Sequence, residues 1–185
     1  MGFNVELNSK KYISDGGLKM INGEYLDLYD NNRKLTGEKL FREKGKKANV
    51  LNDKNVIVVI AFIENKDGEY LLQKTFKSKG NIWALTGGHV KSGQSSLEAI
   101  KEEIQEELGL TFDESDIKLF KTYKYENVFK DVYYIKHYSD FSNIKLQLEE
   151  VEAIEFFDKQ DIIKLVNQNQ VRETNIDAIL DFFNI

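Results

Sequence analysis

The densest chemistry in the chain lies between residues 87 and 110. Gly87, Gly88 and Gly93 sit in a short polar loop, and Glu98, Glu102, Glu103, Glu106 and Glu107 crowd the segment that follows. Ser95 with Glu98 makes a capping box, Leu97, Ile100, Ile104 and Leu108 recur at helical spacing, and Gly109 suits a left-handed helix end. On a wheel of about 100° per residue with Glu103 at zero, Glu107 falls near 40°, Glu106 near 300° and the apolar stripe around 105°. Three carboxylates therefore share one arc of roughly 100°, with Glu107 at the margin of the packed face and Glu98 and Glu102 further toward solvent. Such a cluster works against its own helix. Like charges four residues apart cost roughly 0.2 to 0.5 kcal/mol a pair, and anions in the last turns oppose the helix dipole by about 0.3 to 1 kcal/mol each. A hard divalent cation reverses that sign, because Mg²⁺ takes carboxylate oxygens together with waters and phosphates. Acidic runs on helices are commonly only solvated faces; the glycine loop immediately ahead sets this one apart.

Composition narrows the rest. The 185 residues suit one domain with a real core, and 41% hydrophobic and 31% charged content is ordinary for a globular chain. The longest apolar run, residues 56–63, is far too short to span a bilayer. The first residues lack a basic, apolar leader, and there is no cysteine, so a cytoplasmic protein without membrane association is expected. Any metal must then use oxygen or imidazole ligands. A net charge of −5 disfavours nucleic-acid polymers as partners, and a small, metal-complexed substrate is easier to accommodate. The sequence leaves room for a homodimer without specifying one.

The elements that must position the acidic helix read as an α/β arrangement. Residues 1–20 show no clear periodicity, suggesting a loose terminus or an edge element. Residues 24–29 alternate like a half-buried strand, Asp30-Asn31-Asn32 supplies turn chemistry, and a second short segment runs through Thr36-Gly37, making a hairpin. Residues 1–50 are thus expected to form an N-terminal extension of the same domain, ahead of a principal unit at 51–185. After a polar, lysine-rich stretch over 39–54, residues 56–63 predict a central strand buried on both faces, with a return strand over 70–74 beyond the Asn65-Lys66-Asp67-Gly68 turn. Further strands are expected at 117–125, 132–138 and 151–157, and helices near 161–167 and 175–182. Strands interleaved with helices imply a sheet covered on its faces.

With the loop and helix placed, Gly88-His89-Val90-Lys91-Ser92-Gly93-Gln94, followed by Glu102-Glu103-Ile104-Gln105-Glu106-Glu107-Leu108-Gly109-Leu110, closely resembles the Nudix box, G-x5-E-x7-R-E-U-x-E-E-x-G-U with U aliphatic. Every spacing fits, and the element order over 56–157 is similar to that family's α/β/α sandwich with a mixed sheet. The N-terminal hairpin resembles the leading segment of the isopentenyl-diphosphate-isomerase-like branch. Those isomerases use a catalytic cysteine, which this chain lacks. Two positions depart from the pattern: Gln94 stands where the family has Glu, and Glu102 where it has Arg. In relatives those residues form an ion pair bracing loop to helix; here a Gln94 amide donating to Glu102 is the expected replacement.

The resemblance implies hydrolysis of a phosphoanhydride bond in a nucleoside diphosphate derivative or other small diphosphate compound. Mg²⁺, with Mn²⁺ as a substitute, would be held by Glu103, Glu106, Glu107 and the backbone carbonyl of Gly87. The metal would neutralise the diphosphate, polarise phosphorus and activate water. The base varies among relatives: Glu103 is the first candidate inside the box, and Glu149 or Glu150 on the later loop the alternative. Substrate contacts are expected from Lys74, Gly88 and Tyr125. Trp83, Tyr123 and Tyr133 are weighed as base-stacking groups against the commoner use of aromatics in packing, and His89 and His137 are expected to have no special role. The proline that many ADP-ribose hydrolases carry ~15 residues beyond the box is absent, with Tyr125 near that place; this argues against ADP-ribose and hints at a dinucleoside polyphosphate. Two rivals stay open: a noncatalytic Nudix module that binds a nucleotide or regulates a partner, and a scaffold with a solvated acidic helix.

Overall fold

A computed structural model describes residues 9–14, 17–50, 53–76, 80–136, 141, 144–147 and 151–185. Its organising element is strand β4 (Val56–Glu64), which continuous Val and Ile content suits for burial on both faces. Ile57, Val59, Ala61 and Ile63 pack on one side with Ala99, Ile100, Ile104 and Leu108. Ile60 and Phe62 pack on the other with Ile162, Ala178, Ile179 and Phe183. Helix α1 (Ser96–Leu108) therefore covers one face, and α2 (Lys159–Asn167) and α3 (Glu173–Phe182) cover the other. The expected α/β/α arrangement follows from this alternation, and Phe62 stacked on Phe182 at 4.0 Å marks the second interface.

The sheet is mixed. Its main path is β10 (Val151–Phe157), β5 (Tyr70–Thr75), β4, β9 (Val128–Lys136) and β8 (Ile117–Lys124), with β6 (Trp83–Ala84) on β5 and β7 (Thr86–His89) on β4. Strands β4 and β9 run parallel from Val56 opposite Val128 to Glu64 opposite Lys136. The expected 56–74 hairpin forms only at its turn, where Asn65 Oδ1 accepts from the Asp67 and Glu69 N–H groups at 2.9 Å each. Beyond the Glu64–Tyr70 pair β5 leaves β4, and β7 takes its place against residues 58–61. That exchange brings the glycine loop to the centre of the sheet.

A second sheet is built by β1 (Ser9–Ser14), β2 (Gly17–Tyr29) and β3 (Leu35–Glu43). Of the two expectations for the first twenty residues, the edge element is the one observed for β1. Strand β3 runs to Glu43, well past Thr36-Gly37. The lysines that made 39–54 read as an irregular polar stretch are tolerated because β3 is largely solvated. Leu26 and Leu28 pack on Val56 beside Leu40, Val50 and Val128, and Tyr29 and Asn55 exchange backbone hydrogen bonds of 2.8 Å.

An ion pair between a half-buried arginine and a buried aspartate fixes the hairpin tip. Asp131 on β9 is fully buried and receives Arg33 Nη1 at 2.7 Å as well as Arg33 Nη2. Burial opposes ionisation of Asp131, but the hydrogen bonds from Arg33, Ser96 and Thr122 outweigh it and hold its pKa below the ordinary value. The folded pKa being the lower one, this stabilisation is present above the unfolded carboxylate range, near pH 4, and is lost as pH falls through the depressed folded value. Replacing Arg33 with Ala is expected to cost about 3 kcal/mol at neutral pH by stranding a buried charge. Urea midpoints measured on both sides of pH 4 check this: the cost should shrink in acid, and an equal cost at both pH values would reassign the effect to lost packing.

Candidate functional site

Helix α1 starts and stops as its residues dictate. Ser95 Oγ accepts from the Glu98 N–H at 3.2 Å while Glu98 Oε2 accepts from the Ser95 N–H at 2.8 Å, and Gly109 closes the helix in the left-handed region at φ 68°. Its terminal carbonyls are capped by the 144–147 segment: the Lys145 N–H donates to Leu108 O and the Gln147 N–H to Glu107 O. Burying Ile100, Ile104 and Leu108 turns the Glu103–Glu107 edge toward the sheet. Glu107 sinks further than the expected margin: only 6% exposed, it accepts from Gln73 Nε2 at 3.0 Å and the Gly87 N–H at 3.3 Å.

The two glycines ahead of the helix are required by close approach. A Cβ on Gly87, whose φ is 155°, would lie 2.0 Å from the Val59 carbonyl oxygen; one on Gly88 would lie 2.0 Å from Glu103 Oε1. Glu103 is consequently pressed against backbone, and burial, followed by repulsion from Glu107 and Glu106, pushes its carboxyl up to about 8 against the opposing pull of Lys91. Glu106 is the exposed member, 3.5 Å from Lys91 Nζ.

The expected brace between Gln94 and Glu102 is present, and a residue that sequence reasoning passed over completes it. The Gln94 amide donates to Glu102 Oε2, its carbonyl accepts from the Lys91 N–H at 3.0 Å, and Lys91 Nζ lies 2.9 Å from the same Glu102 oxygen. Burial raises the Glu102 pKa less than Lys91 and Gln94 lower it, so the carboxyl stays ionised. The cation absent from position 102 is thus restored from the loop at position 91. The hairpin locks that loop in place: Asp27 accepts from Ser92 Oγ and from the Gly93 N–H, both at 2.8 Å, and Tyr25 O accepts from the Ser92 N–H at 2.7 Å.

Gly87, Gly88, Glu103, Glu106, Glu107 and Tyr125 all line one cleft of about 1250 Å³. Gln73 and Thr75 of β5, Lys130 of β9, Gln147, Arg172 and Asp177 line it too, none of them singled out by sequence. Lys130 donates to Tyr125 Oη at 3.1 Å and Asp177 Oδ1 at 3.0 Å, and burial lowers its pKa to about 8. A single lysine in an alternating strand gives no sequence signal of such a position. Lys74 is not brought to the cleft: strand alternation turns Gln73 inward, and the Lys74 ammonium lies over the Trp83 ring at 5.3 Å. Trp83 packs edge-on against Phe157, Tyr133 is buried with its hydroxyl on Ser96, and the Tyr123 hydroxyl donates to Asp181, so these aromatics serve packing. His89 does reach the cleft, and burial followed by Arg42 lowers its pKa to about 4, leaving it neutral. Glu149, Glu150 and His137 lie outside the described residues.

The carboxylates fit a hard cation by donor chemistry and by mutual repulsion. Among the described residues they do not converge as a ready coordination shell: Glu107 is turned to Gln73 and Gly87, and Glu106 to Lys91. Because Glu103 has its pKa raised on folding, it destabilises the metal-free fold as pH rises from the unfolded value near 4.5 to about 8. Glu103→Gln should therefore raise the melting temperature of metal-free protein by about 2 °C or more above pH 8, with little change below pH 5; a melt series with a chelator reads this, and a gain that ignores pH would contradict the assigned cause. Gly88→Ala should displace the Glu103 carboxylate and weaken Mg²⁺ binding about tenfold or more at nearly unchanged stability, whereas Gly87→Ala should break the β4–β7 pairing and lower stability itself. Calorimetric titration beside thermal melts separates the two.

A family model described as NUDIX domain matches residues 54–178. An uncharacterized Nudix hydrolase of Listeria monocytogenes, lmo0368, is 33% identical over 143 residues, covering 75% of this chain and 82% of the relative. The nucleoside triphosphatase NudI of Escherichia coli is 47% identical over 55 residues, covering 28% of this chain and 38% of that protein. The crystal structure of DR0079 from Deinococcus radiodurans superposes with a TM-score of 0.68 at 18% identity, covering 84% of this chain and 97% of that one, a likeness of fold. The loop, the acidic helix edge and the sandwich that joins them agree with the match over residues 54–178, and the chain belongs to the Nudix hydrolase superfamily.

Proposed function

We propose that this chain is a Mg²⁺-dependent pyrophosphohydrolase that cleaves a phosphoanhydride bond in a nucleoside diphosphate derivative or other small diphosphate compound. The observation that carries the reading is the placement of Glu103, pressed onto Gly88 beside Glu106 and the buried Glu107, at the wall of a cleft large enough for a nucleotide. Nudix hydrolases generally use divalent metal ions. Here Glu103, Glu106, Glu107 and the Gly87 carbonyl would hold the ion, with Mn²⁺ an acceptable substitute. Bound there, it would neutralise the diphosphate, polarise phosphorus and acidify water.

The chain's own residues have distinct tasks. Gly88 lets Glu103 come close to the backbone and faces the substrate, Gln73 and the Gly87 N–H orient Glu107, and Lys91 with Gln94 holds Glu102 beside the ligand set. Glu103 is the first choice for the base that takes a proton from attacking water, and Glu150 the second. Tyr125, with its ring partly exposed in the cleft and its hydroxyl accepting from Lys130, is suited to contact the organic end of the substrate. The local similarity to a nucleoside triphosphatase supports a nucleotide as that substrate.

Phosphate or pyrophosphate release with Mg²⁺ across a panel of nucleoside diphosphate and triphosphate derivatives tests the reading. Turnover is expected with at least one panel member, abolished by chelation, recovered with Mn²⁺, and reduced about a hundredfold or more in Glu106→Gln. No turnover across the panel, together with ligand-induced thermal stabilisation, would indicate a binding module instead.

A further inference from the structure

The first turn of α3 brings a buried amide to the cavity that Glu103 and Glu106 line. Asn175 is only 2% exposed, yet it borders the cleft. Its Oδ1 accepts from the Leu85 N–H at 3.1 Å, and because only the oxygen can accept, this bond fixes which way the amide lies. Its Nδ2 then carries two N–H groups, and among the described residues nothing accepts from them. The nitrogen is not enclosed by the core either, so it faces the cleft. We propose that Asn175 reads the base of the substrate by donating from Nδ2 to a ring carbonyl. The cleft would thereby select guanine or uracil nucleotides over their amino counterparts, adenine and cytosine. The inference rests on the pyrophosphohydrolase reading and adds to it the residue that decides which base is accepted.

Hydrogen-bond polarity separates those bases. Where guanine carries the acceptor O6, adenine carries an amino donor, and the acceptor O4 of a uracil-type ring is likewise an amino group in cytosine. An amino group against Nδ2 sets donor against donor and shields both from water without a bond. Leaving a buried donor unpaired costs more than an ordinary hydrogen bond contributes, so a site built around such a donor rejects the analogue that lacks its partner. Asn175 cannot adapt by turning its amide over. That rotation would present the oxygen to the base but strand the N–H of Leu85, itself only 1% exposed.

The surroundings hold this donor in place and supply a ring beside it. Trp83 of β6 donates its N–H to Gln170 O and accepts from the Arg172 N–H, both at 2.8 Å, which pins the start of α3 to the sheet. The Asn175 N–H closes the first turn on Arg172 O at 2.8 Å. Lys130 Nζ donates to Thr174 O, one residue before Asn175, to Asp177 Oδ1 at 3.0 Å and to Tyr125 Oη at 3.1 Å. Its three N–H groups are thereby used, which leaves the reading of a base to Asn175. The same ammonium lies 4.5 Å from the centre of the Tyr125 ring, so Tyr125, 39% exposed in the cleft, is kept near the first turn of α3 as a face on which a base can stack. Leu85 stands two residues before Gly87, so the segment that orients the amide runs directly into the signature loop.

The test measures binding apart from turnover. Methylene-bridged diphosphates of guanosine, adenosine, uridine and cytidine, whose bridge resists hydrolysis, are titrated with Mg²⁺ into wild type and Asn175→Asp by calorimetry. The aspartate keeps an oxygen for the Leu85 N–H and replaces the donor with an acceptor. Wild type should bind the guanosine and uridine analogues about tenfold or more tightly than the adenosine and cytidine analogues. Asn175→Asp should reverse both preferences, and kcat/KM on the hydrolysable diphosphates should follow the same order. A wild type that binds the adenosine analogue as well as the guanosine one overturns the base reader, and this comparison decides even where thermal melts show that the variant does not fold. An Asn175→Asp protein that melts like wild type and keeps the wild-type preference overturns it as well. Turnover without base preference would leave the pyrophosphohydrolase standing, whereas base preference in binding without any Mg²⁺-dependent turnover would strike the underlying reading and leave the base reader.

Discussion

Carboxylates that repel one another are held against backbone at the edge of helix α1, and the surrounding structure exists to keep them there. Glu107 is buried and Glu103 is pressed onto Gly88, a placement that costs free energy in the metal-free protein, as the raised Glu103 pKa expresses. The cost is sustained because neighbouring elements are over-determined. The capping box fixes the start of the helix, Gly109 and the 144–147 segment fix its end, and Ile100, Ile104 and Leu108 anchor its rotation on β4. A helix held less firmly would turn these carboxylates into solvent, where repulsion is weakly felt. Stability elsewhere thereby sustains an arrangement of carboxylates that is unfavourable by itself.

The loop–helix brace shows how the same electrostatic task survives a change of residues. With Glu at position 102, the cation that a box loop and helix need cannot come from the helix. It comes from Lys91, which neutralises Glu102 and lies near Glu106 as well. Gln94 loses the charge that Glu would have carried there, and its amide fits the altered pair: one end accepts from the loop backbone, the other donates to Glu102. Two departures that look like decay when each position is taken singly are complementary once Lys91 is included. Together with Lys91 they tie the loop to the helix turn that carries Glu102 and Glu103.

Much of this was legible in the sequence, for identifiable reasons. The helix could be placed because its apolar period, cap residues and terminal glycine agree, and β4 because an uninterrupted apolar run has no use other than two-sided burial. The carboxylate arc followed from helical geometry alone. Long-range pairing was not legible: nothing in residues 70–75 says that β5 abandons β4 after one pair and that β7 replaces it. The extent of β3 was hidden because an edge strand in solvent carries lysines as readily as a loop does. Lys74 and Gln73 illustrate the limit at single-residue scale. Strand alternation puts neighbouring residues on opposite faces, and only the tertiary structure decides which face meets the cleft.

The hairpin joins these observations. Helices cover both faces of β4, and residues 17–43 cover its start at Val56, attached by the ion pair of Arg33 with the buried Asp131 and by a double hydrogen bond, Asp27 to Ser92 and Gly93. Apolar packing of Leu26 and Leu28 on Val56 would suffice to keep a cover in contact, but contact alone leaves rotation and sliding free. The directional bonds remove that freedom, and they do so at the signature loop itself. A segment whose register is fixed to the loop that carries Gly88 and Lys91 holds that loop in one place against the start of α1. Positioning of that kind matters for a loop whose Lys91 and Gln94 must meet Glu102 of the helix in one orientation.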